Sequence, residues 1–485
     1  MAYYKDYSKF GNHIAAIQSD GAQITYMALS DVSVEIAKSL KRRSVVMSFC
    51  SNQIGSLCGY VSFLEHDIVP ILLDRHINAE LRERLLQIYQ PDYIYAPEEM
   101  SQFFSDLTIL WKGWGYVLLK TKYDYAHDLY PELGLLLSTS GSTGSPKLVR
   151  QSYQNIQANA ESIAKYLLLN AEERPITTLP MNYTYGLSII NSHLLMGATI
   201  LMTEYTYFQR EFWSFFRQEK ATSFGGVPYH YEILKKLRFF CMDLPSLHYM
   251  TQAGGKLTPE LHQEFAEYAQ NQNKKFIVMY GQTEATARMA YLPAEKALDK
   301  YGSMGIAIPG GRLELVDVSG ETISEPDVVG EMVYYGANVT LGYAECAADL
   351  KLGDERQGRL ETGDMAKRDA EGYYYIVGRK KRFLKIFGNR VNLDEMERMV
   401  KKYLEEQYYT CAENEKKTAA LIECACSGRD DKLFVYLTSG DSTLQENLHH
   451  FLAEKTNLHP SAFRVVFIEA IPKNEAGKIL YSQLN

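Results

Sequence analysis

Residues Ser138 to Lys147 read S-T-S-G-S-T-G-S-P-K, directly after the apolar run Leu133 to Leu137. The run predicts a buried strand. Gly141 and Gly144 free the following backbone to aim N–H groups at one point. The hydroxyls of Ser140, Ser142 and Thr143 add donors, and Lys147 adds a positive charge. Together they describe a cradle for polyphosphate. Lys147 is followed by Leu148, so the segment is not the G-x-x-x-x-G-K-[ST] loop. A flexible Ser/Gly linker would lack both the leading strand and the closing Pro146-Lys147.

A strand that ends on a phosphate loop implies an α/β fold, and the surrounding pattern agrees. Strands are expected at 45–49, 68–73, 176–179, 199–203 and 276–280. Helices are expected at 53–64, 78–90, 155–169 and 187–196. Such alternation gives doubly wound, largely parallel sheets. Beyond Gly302 short strands and Gly-rich turns predict a β-rich subdomain. Gly378 to Arg382, G-R-K-K-R, forms a charged break. After it, Leu393, Met396, Val400 and Leu404 repeat on one helical face. Asn392 is placed to cap that helix, with Glu395 reaching back. A small α+β domain would follow to the end of the chain.

The chain has 485 residues, enough for two or more domains. Its net charge of −8 argues against a general nucleic-acid binder. Seven scattered cysteines (Cys50, Cys58, Cys241, Cys346, Cys411, Cys424 and Cys426) fit a reducing, cytoplasmic setting better than a disulfide framework. The N-terminal residues show no apolar leader. The greasiest stretch, Ile54 to Leu73, is broken by Glu65, His66 and Asp67, so no membrane span is expected.

Six further segments carry chemistry. Ala253-Gly254-Gly255-Lys256 would let a flat ring lie against backbone. Tyr280-Gly281-Gln282-Thr283-Glu284 ends an apolar strand, where parallel sheets bind ligands. Glu284 there suits Mg²⁺, a hard cation that takes carboxylate and phosphate oxygens. Gly302 to Gly310 reads as a structural junction. Glu361-Thr362-Gly363-Asp364 offers a carboxylate able to accept both hydroxyl protons of a ribose, and Arg379 lies just beyond it. Gly388, in K-I-F-G-N-R-V, would admit the close approach of a second substrate. Gly477-Lys478 stands near the C-terminus.

Taken in this order, the segments resemble the adenylate-forming superfamily: acyl-CoA synthetases, peptide-synthetase adenylation domains and luciferase-like enzymes. The likeness runs from Leu133 to Leu484. It implies a large N-terminal adenylation domain (1–377), a hinge (378–382) and a small mobile C-terminal domain (383–485). It also implies a stand-alone AMP-forming acid–thiol ligase that uses ATP and Mg²⁺. By resemblance, Ser140 to Lys147 hold the β- and γ-phosphates and then pyrophosphate. Gly254 and Gly255 line the adenine, with Tyr280 and Gly281 beside it. Thr283 touches the α-phosphate, Glu284 ligates Mg²⁺, and Asp364 holds the ribose, helped by Arg379. Lys478 bridges the acyl carboxylate and the α-phosphate. Lys381 takes the hinge position, where many members have Asp and some acyl-CoA-forming members have Lys. Gly388 lines the path of the thiol.

The same resemblance places the acid near Tyr183, Tyr185, Gly226 and Ala253. Amino-acid-activating relatives commonly put an Asp in the first of these segments. From Pro180 to Gly197 there is no Asp or Glu, and an ammonium group in an apolar pocket would be poorly compensated. An acid without an α-amino group is therefore expected. Its acceptor is either coenzyme A or the phosphopantetheine arm of a separate carrier protein. Gly440-Asp441-Ser442 reads as an ordinary turn, so no fused carrier is expected. Three other readings have their own tests. A non-catalytic nucleotide binder would bind ATP without releasing pyrophosphate. An amino-acid-activating ligase would prefer amino acids in exchange assays. A luciferase-like oxygenase would consume oxygen.

Overall fold

In the computed structural model, the described residues are 5–123, 127–138, 147–387, 389–406, 422–429, 431–456, 458–473 and 479–484. The chain forms two compact units. One comprises Met1–Glu314, Val333–Glu361 and Gly372–Tyr374; the other comprises Leu315–Met332, Thr362–Glu371 and Tyr375–Asn485. The fold is α/β, with a large N-terminal part and a smaller α+β C-terminal part, as the sequence pattern predicts.

The first unit holds two large sheets. In the nine-stranded sheet, Lys275–Tyr280, Tyr249–Gln252, Ser223–Gly226, Pro175–Ile176, Ile200–Met202 and Ile14–Gln18 are successive parallel neighbours. In the eight-stranded sheet, Leu133–Ser138, Val69–Asp74, Val45–Cys50 and Tyr93–Pro97 run parallel. Strands buried on both faces read as unbroken apolar runs. All six residues of Val45–Cys50 are buried, and so are most of those in Ile54–Glu65, the helix that follows. This makes the stretch Ile54 to Leu73 a core helix and a core strand. Among the described residues no helix is long and apolar enough to cross a membrane.

One strand departs from the sequence reading. Leu148–Ser152 returns antiparallel to Leu133–Ser138, with Ser138 opposite Leu148, so the two are neighbouring strands. Arg150 and Gln151 disguise this strand as a polar segment. Both are buried, and the Arg150 side chain is matched by the carboxylate of Glu355 and by the carbonyls of Leu341, Tyr343 and Leu352.

The β-rich region after Gly302 is a four-stranded sheet of Arg312–Val316, Gly330–Tyr335, Arg359–Arg368 and Tyr374–Arg379, in that order. In the second unit, Phe383–Ile386 pairs with Asn389–Asn392, and Cys424–Arg429, Lys432–Leu437 and Phe463–Phe467 form a three-stranded sheet. Helix Leu393–Leu404 buries Leu393, Met396, Val400 and Leu404, the face the spacing predicts. Asn392 caps it by accepting from the Asp394 N–H at 2.9 Å. Its amide also donates to the Val377 carbonyl at 3.1 Å. Glu397, which reads as a surface position, is buried against Arg382, the Cys426 N–H and the Tyr481 hydroxyl. Gly440-Asp441-Ser442 opens helix Ser442–Thr456, where Asp441 accepts from the Leu444 N–H at 2.8 Å. The six described cysteines are free thiols.

Candidate active site

The parallel strands of the nine-stranded sheet bring several expected residues to one edge. Register sets Gly226 beside Gln252, and Gln252 beside Val278. The carboxyl ends of those strands therefore lie side by side, followed by Ala253 to Gly255 and by Tyr280 to Glu284. This is the end at which open parallel sheets hold ligands.

Glu284 sits in a short 3₁₀ turn, Thr283–Ala285. Gly281 makes the entry to that turn possible. A Cβ there would fall 1.6 Å from the Ala287 carbonyl oxygen, a clash no side chain survives. Thr283 is buried and Glu284 half-buried. The main-chain carbonyl of Glu284 accepts from the Thr340 N–H at 3.0 Å and from its hydroxyl at 2.9 Å. One carboxylate oxygen accepts the Tyr343 hydroxyl at 2.7 Å. Tyr343 lies between two cations. Lys147 Nζ stands 3.9 Å from its ring centroid and the Arg356 guanidinium 4.6 Å. Burial, followed by the negative charge of Glu284, pushes the Tyr343 phenol up to about 12. It thus remains a donor to the carboxylate. Lys147 also stands 3.6 Å from the Glu345 carboxylate.

This corner was only partly visible in the sequence. Glu284 and Lys147 were expected. Tyr343, Thr340 and Arg356 were not, because they follow Glu284 by more than fifty residues and belong to no short motif. The corner fits Mg²⁺. Among the described residues no group of three or more His, Cys, Asp or Glu side chains surrounds it. A single carboxylate with one oxygen already oriented suits a cation that takes its other ligands from phosphate and water.

The residues expected to border the acid lie close to one another. The Tyr185 hydroxyl is 2.9 Å from the Thr251 carbonyl, to which it donates, and 2.8 Å from the Thr251 hydroxyl. The Tyr183 ring meets the Tyr185 ring edge-on at 6.3 Å. Gly254 has φ +79°, and a Cβ there would fall 2.6 Å from the Tyr183 hydroxyl. Ala253 is buried. Successive residues of a strand face opposite sides, and this separates the two glycines of Ser223–Gly226. A Cβ at Gly225 would meet Tyr185, whereas one at Gly226 would meet Tyr231 and His230. Gly225 is therefore the glycine that faces Tyr185.

A cavity of about 260 Å³ opens in this unit, with Asn52, Asp74, Arg75, Thr178, Pro180 and Asn182 among its lining.

In the second unit, Asp364 is buried in strand Arg359–Arg368 and Arg379 ends strand Tyr374–Arg379. The Arg379 Nε lies 2.8 Å from Asp364 Oδ1. The carboxylate expected to hold the ribose and its expected helper are thus joined. Ser140, Gly141, Ser142, Thr143, Gly144, Gly388 and Lys478 lie outside the described residues. Lys381 is in the 3₁₀ turn Lys380–Arg382.

A two-sheet α/β body with a carboxylate at the strand ends and a trailing α+β unit is the architecture of an adenylate-forming enzyme. The chain matches the AMP-binding enzyme family over residues 4–344 and belongs to it. It is 26% identical over 483 residues to peroxisomal OPC-8:0-CoA ligase 1 of Arabidopsis thaliana, covering 97% of this chain and 80% of that protein. It is 26% identical to 4-coumarate–CoA ligase-like 2 of the same plant, covering 72% of this chain and 60% of that protein. In fold it is similar to the O-succinylbenzoate coenzyme A synthetase of Bacillus subtilis solved in complex with AMP. The TM-score is 0.76 at 19% identity, over 100% of this chain and 98% of that one.

Proposed function

We propose that this protein activates a carboxylic acid with ATP and transfers the acyl group to the thiol of coenzyme A. The observation that carries this reading is Glu284, held at the end of a parallel strand by Tyr343 with Lys147 beside it. A carboxylate resists nucleophiles because its own charge repels them. In the first half-reaction an oxygen of the acid attacks the α-phosphorus of ATP and pyrophosphate leaves. The product is a mixed anhydride with AMP. Such a displacement needs charge stabilisation and positioning more than covalent help. In the second, the thiol sulfur attacks the acyl carbon and AMP departs.

Glu284 would hold Mg²⁺, which supplies positive charge to the phosphate oxygens. Ser140 to Gly144 and Lys147 would cradle the β- and γ-phosphates. Thr283 would contact the α-phosphate, and Gly254, Gly255, Tyr280 and Gly281 would border the adenine. Asp364, with Arg379 beside it, would accept the ribose hydroxyls. Lys478 would bring the last positive charge to the reacting oxygens, on a domain (383–485) that swings about Lys381 and so presents Gly388 to the thiol. Tyr183, Tyr185 and Ala253 would border the acid, with Gly225 in that wall in place of Gly226, which faces the other side of the strand. Relatives named as CoA ligases support coenzyme A as acceptor over a carrier protein.

Acid-dependent exchange of pyrophosphate into ATP, followed by mass spectrometry of the product formed with coenzyme A, tests this. The expected result is exchange with a cognate acid and an acyl-CoA product. ATP binding with no exchange across a broad acid panel would refute catalysis. A product formed only on a holo-carrier protein would refute the acceptor.

A further inference from the structure

Arg288 lies four residues past Glu284 and is 2% exposed. Two other arginines are comparably buried among the described residues, and both face carboxylates. Arg150 meets Glu355, and Arg382 meets Asp394 and Glu397. Arg288 meets none. Its Nε donates to the Ser188 hydroxyl at 3.1 Å. Its Nη1 donates to the Tyr166 hydroxyl at 2.9 Å and to the Met279 sulfur at 3.2 Å. The Tyr185 ring lies against it, 5.2 Å from centroid to guanidinium carbon. All four neighbours are neutral. Its Nη2 makes no hydrogen bond among the described residues.

A buried cation without a counter-charge is costly, and removing its partner from such a pair costs several-fold more than an exposed pair is worth. Arg288 also borders a small cavity, with Ile189, His193, Gly225, Tyr249 and Thr251. The space is about 10 Å³, close to the room of one water molecule. Among the described residues no carboxylate lines it. His193 is neutral there, donating from Nδ1 to the Ile189 carbonyl at 2.7 Å and accepting at Nε2 from the Tyr249 hydroxyl at 3.1 Å. The cavity adjoins the expected acid pocket, because Gly225 lines it and faces Tyr185, whose ring lies against Arg288.

We propose that Arg288 pairs with a second anionic group on the acid, so that the substrate is a short-chain dicarboxylic acid. The inference rests on the reading of this site as an acid-activating pocket. One carboxylate would react and the other would supply the charge Arg288 lacks. The Tyr185 ring, 5.2 Å from the guanidinium carbon, keeps the two carboxylates close and so limits the chain between them. The same cation repels an ammonium group, which agrees with the absence of Asp and Glu from Pro180 to Gly197.

Pyrophosphate exchange should be measured with malonate, succinate and glutarate against propionate, butyrate and valerate. In the wild-type protein the best dicarboxylate should exceed its matched monocarboxylate in kcat/KM by ~10²-fold or more, since a site built to pair with a polar group rejects analogues lacking it. Arg288→Met should collapse that ratio, mainly through KM for the dicarboxylate, and Arg288→Lys should restore part of it. ATP titration of each variant checks folding, and the wild-type ratio stands even if a variant fails to fold. Equal or better use of monocarboxylates by the wild type would overturn the inference while leaving acid activation intact. Exchange with neither set but with other acids of a broad panel would overturn this inference alone; no exchange with any acid, in protein that binds ATP, would overturn the proposed function with it.

Discussion

Arg379 reaches Asp364 with its Nε 2.8 Å from the carboxylate, and the two side chains differ sharply in setting. Asp364 is 3% exposed and Arg379 49% exposed. Asp364 is also tied from behind, because its N–H donates to the Thr362 hydroxyl, which itself donates to the Met332 carbonyl. The carboxylate is fixed and the arginine is the adjustable partner. Asp364→Asn keeps the shape and removes the charge. Loss of a charge-assisted hydrogen bond costs about 1.5–3 kcal/mol, so ATP affinity should fall roughly 10- to 100-fold. Arg379→Ala should fall less. Calorimetric titration with ATP checks both, and unchanged affinity in Asp364→Asn would remove Asp364 from the ribose site.

Tyr343 and Glu284 should be separable in the same assay. Glu284→Gln removes the carboxylate proposed for Mg²⁺, and kcat for exchange should drop by ~10²–10³-fold, as for other lost transition-state contacts. Tyr343→Phe leaves the carboxylate but frees it to rotate, so a drop of about tenfold is expected, in line with one hydrogen bond to a charged group. Since the Tyr343 phenol is pushed up to about 12, it stays protonated through pH 10. The alkaline limbs of wild-type and Tyr343→Phe profiles should therefore have the same shape up to that pH. A limb near pH 10 present only in the wild type would contradict this.

Gly281→Ala is expected to injure fold and function together. The added Cβ meets main chain, the Ala287 carbonyl at 1.6 Å, so no rotamer change relieves it. Overpacking of this kind costs about 1–3 kcal/mol or more. A lowered melting temperature with exchange reduced beyond the folded fraction is the expected outcome. Gly310→Ala is the control, because nothing lies within 4 Å of its added atom, although its φ of +83° still carries strain.

Short-range patterns carried most of what was legible in the sequence. The 3, 4, 4 spacing of Leu393, Met396, Val400 and Leu404 is local, and the helix buries that face. The apolar runs at Val45 and Leu133 are local too. Partners brought together by topology left no such trace. Tyr343 reaches Glu284 across 59 residues. Glu397 looks like a solvated helix position until Arg382 folds over it. Arg288, in T-E-A-T-A-R, reads as an ordinary charged residue after a motif. Only the packing of helices Tyr153–Leu167 and Thr184–Met196 against it encloses the charge.

Two buried histidines and a half-buried one make acid sensitivity the last expectation. Burial pushes His193, His230 and His262 each down to about 4; for His193 a hydrogen bond to Ile189 opposes the shift and the Arg288 charge adds to it. The unfolded chain protonates these rings near pH 6.5, while the folded chain resists until about 4. Between those limits the unfolded state binds more protons, so stability falls as pH falls. It is fully present above 6.5 and stops declining below about 4. Each ring contributes about 1.4 kcal/mol per pH unit within that window, or roughly 4 for all three at the steepest point. Glu65, raised by burial, acts in the opposite sense, so a single curve is ambiguous and a difference is needed. His230→Gln should flatten the dependence of unfolding free energy on pH by one proton between pH 6.5 and 4.5, measured by urea unfolding. Superimposable slopes for the variant and the wild type would show that His230 takes up its proton in the folded state.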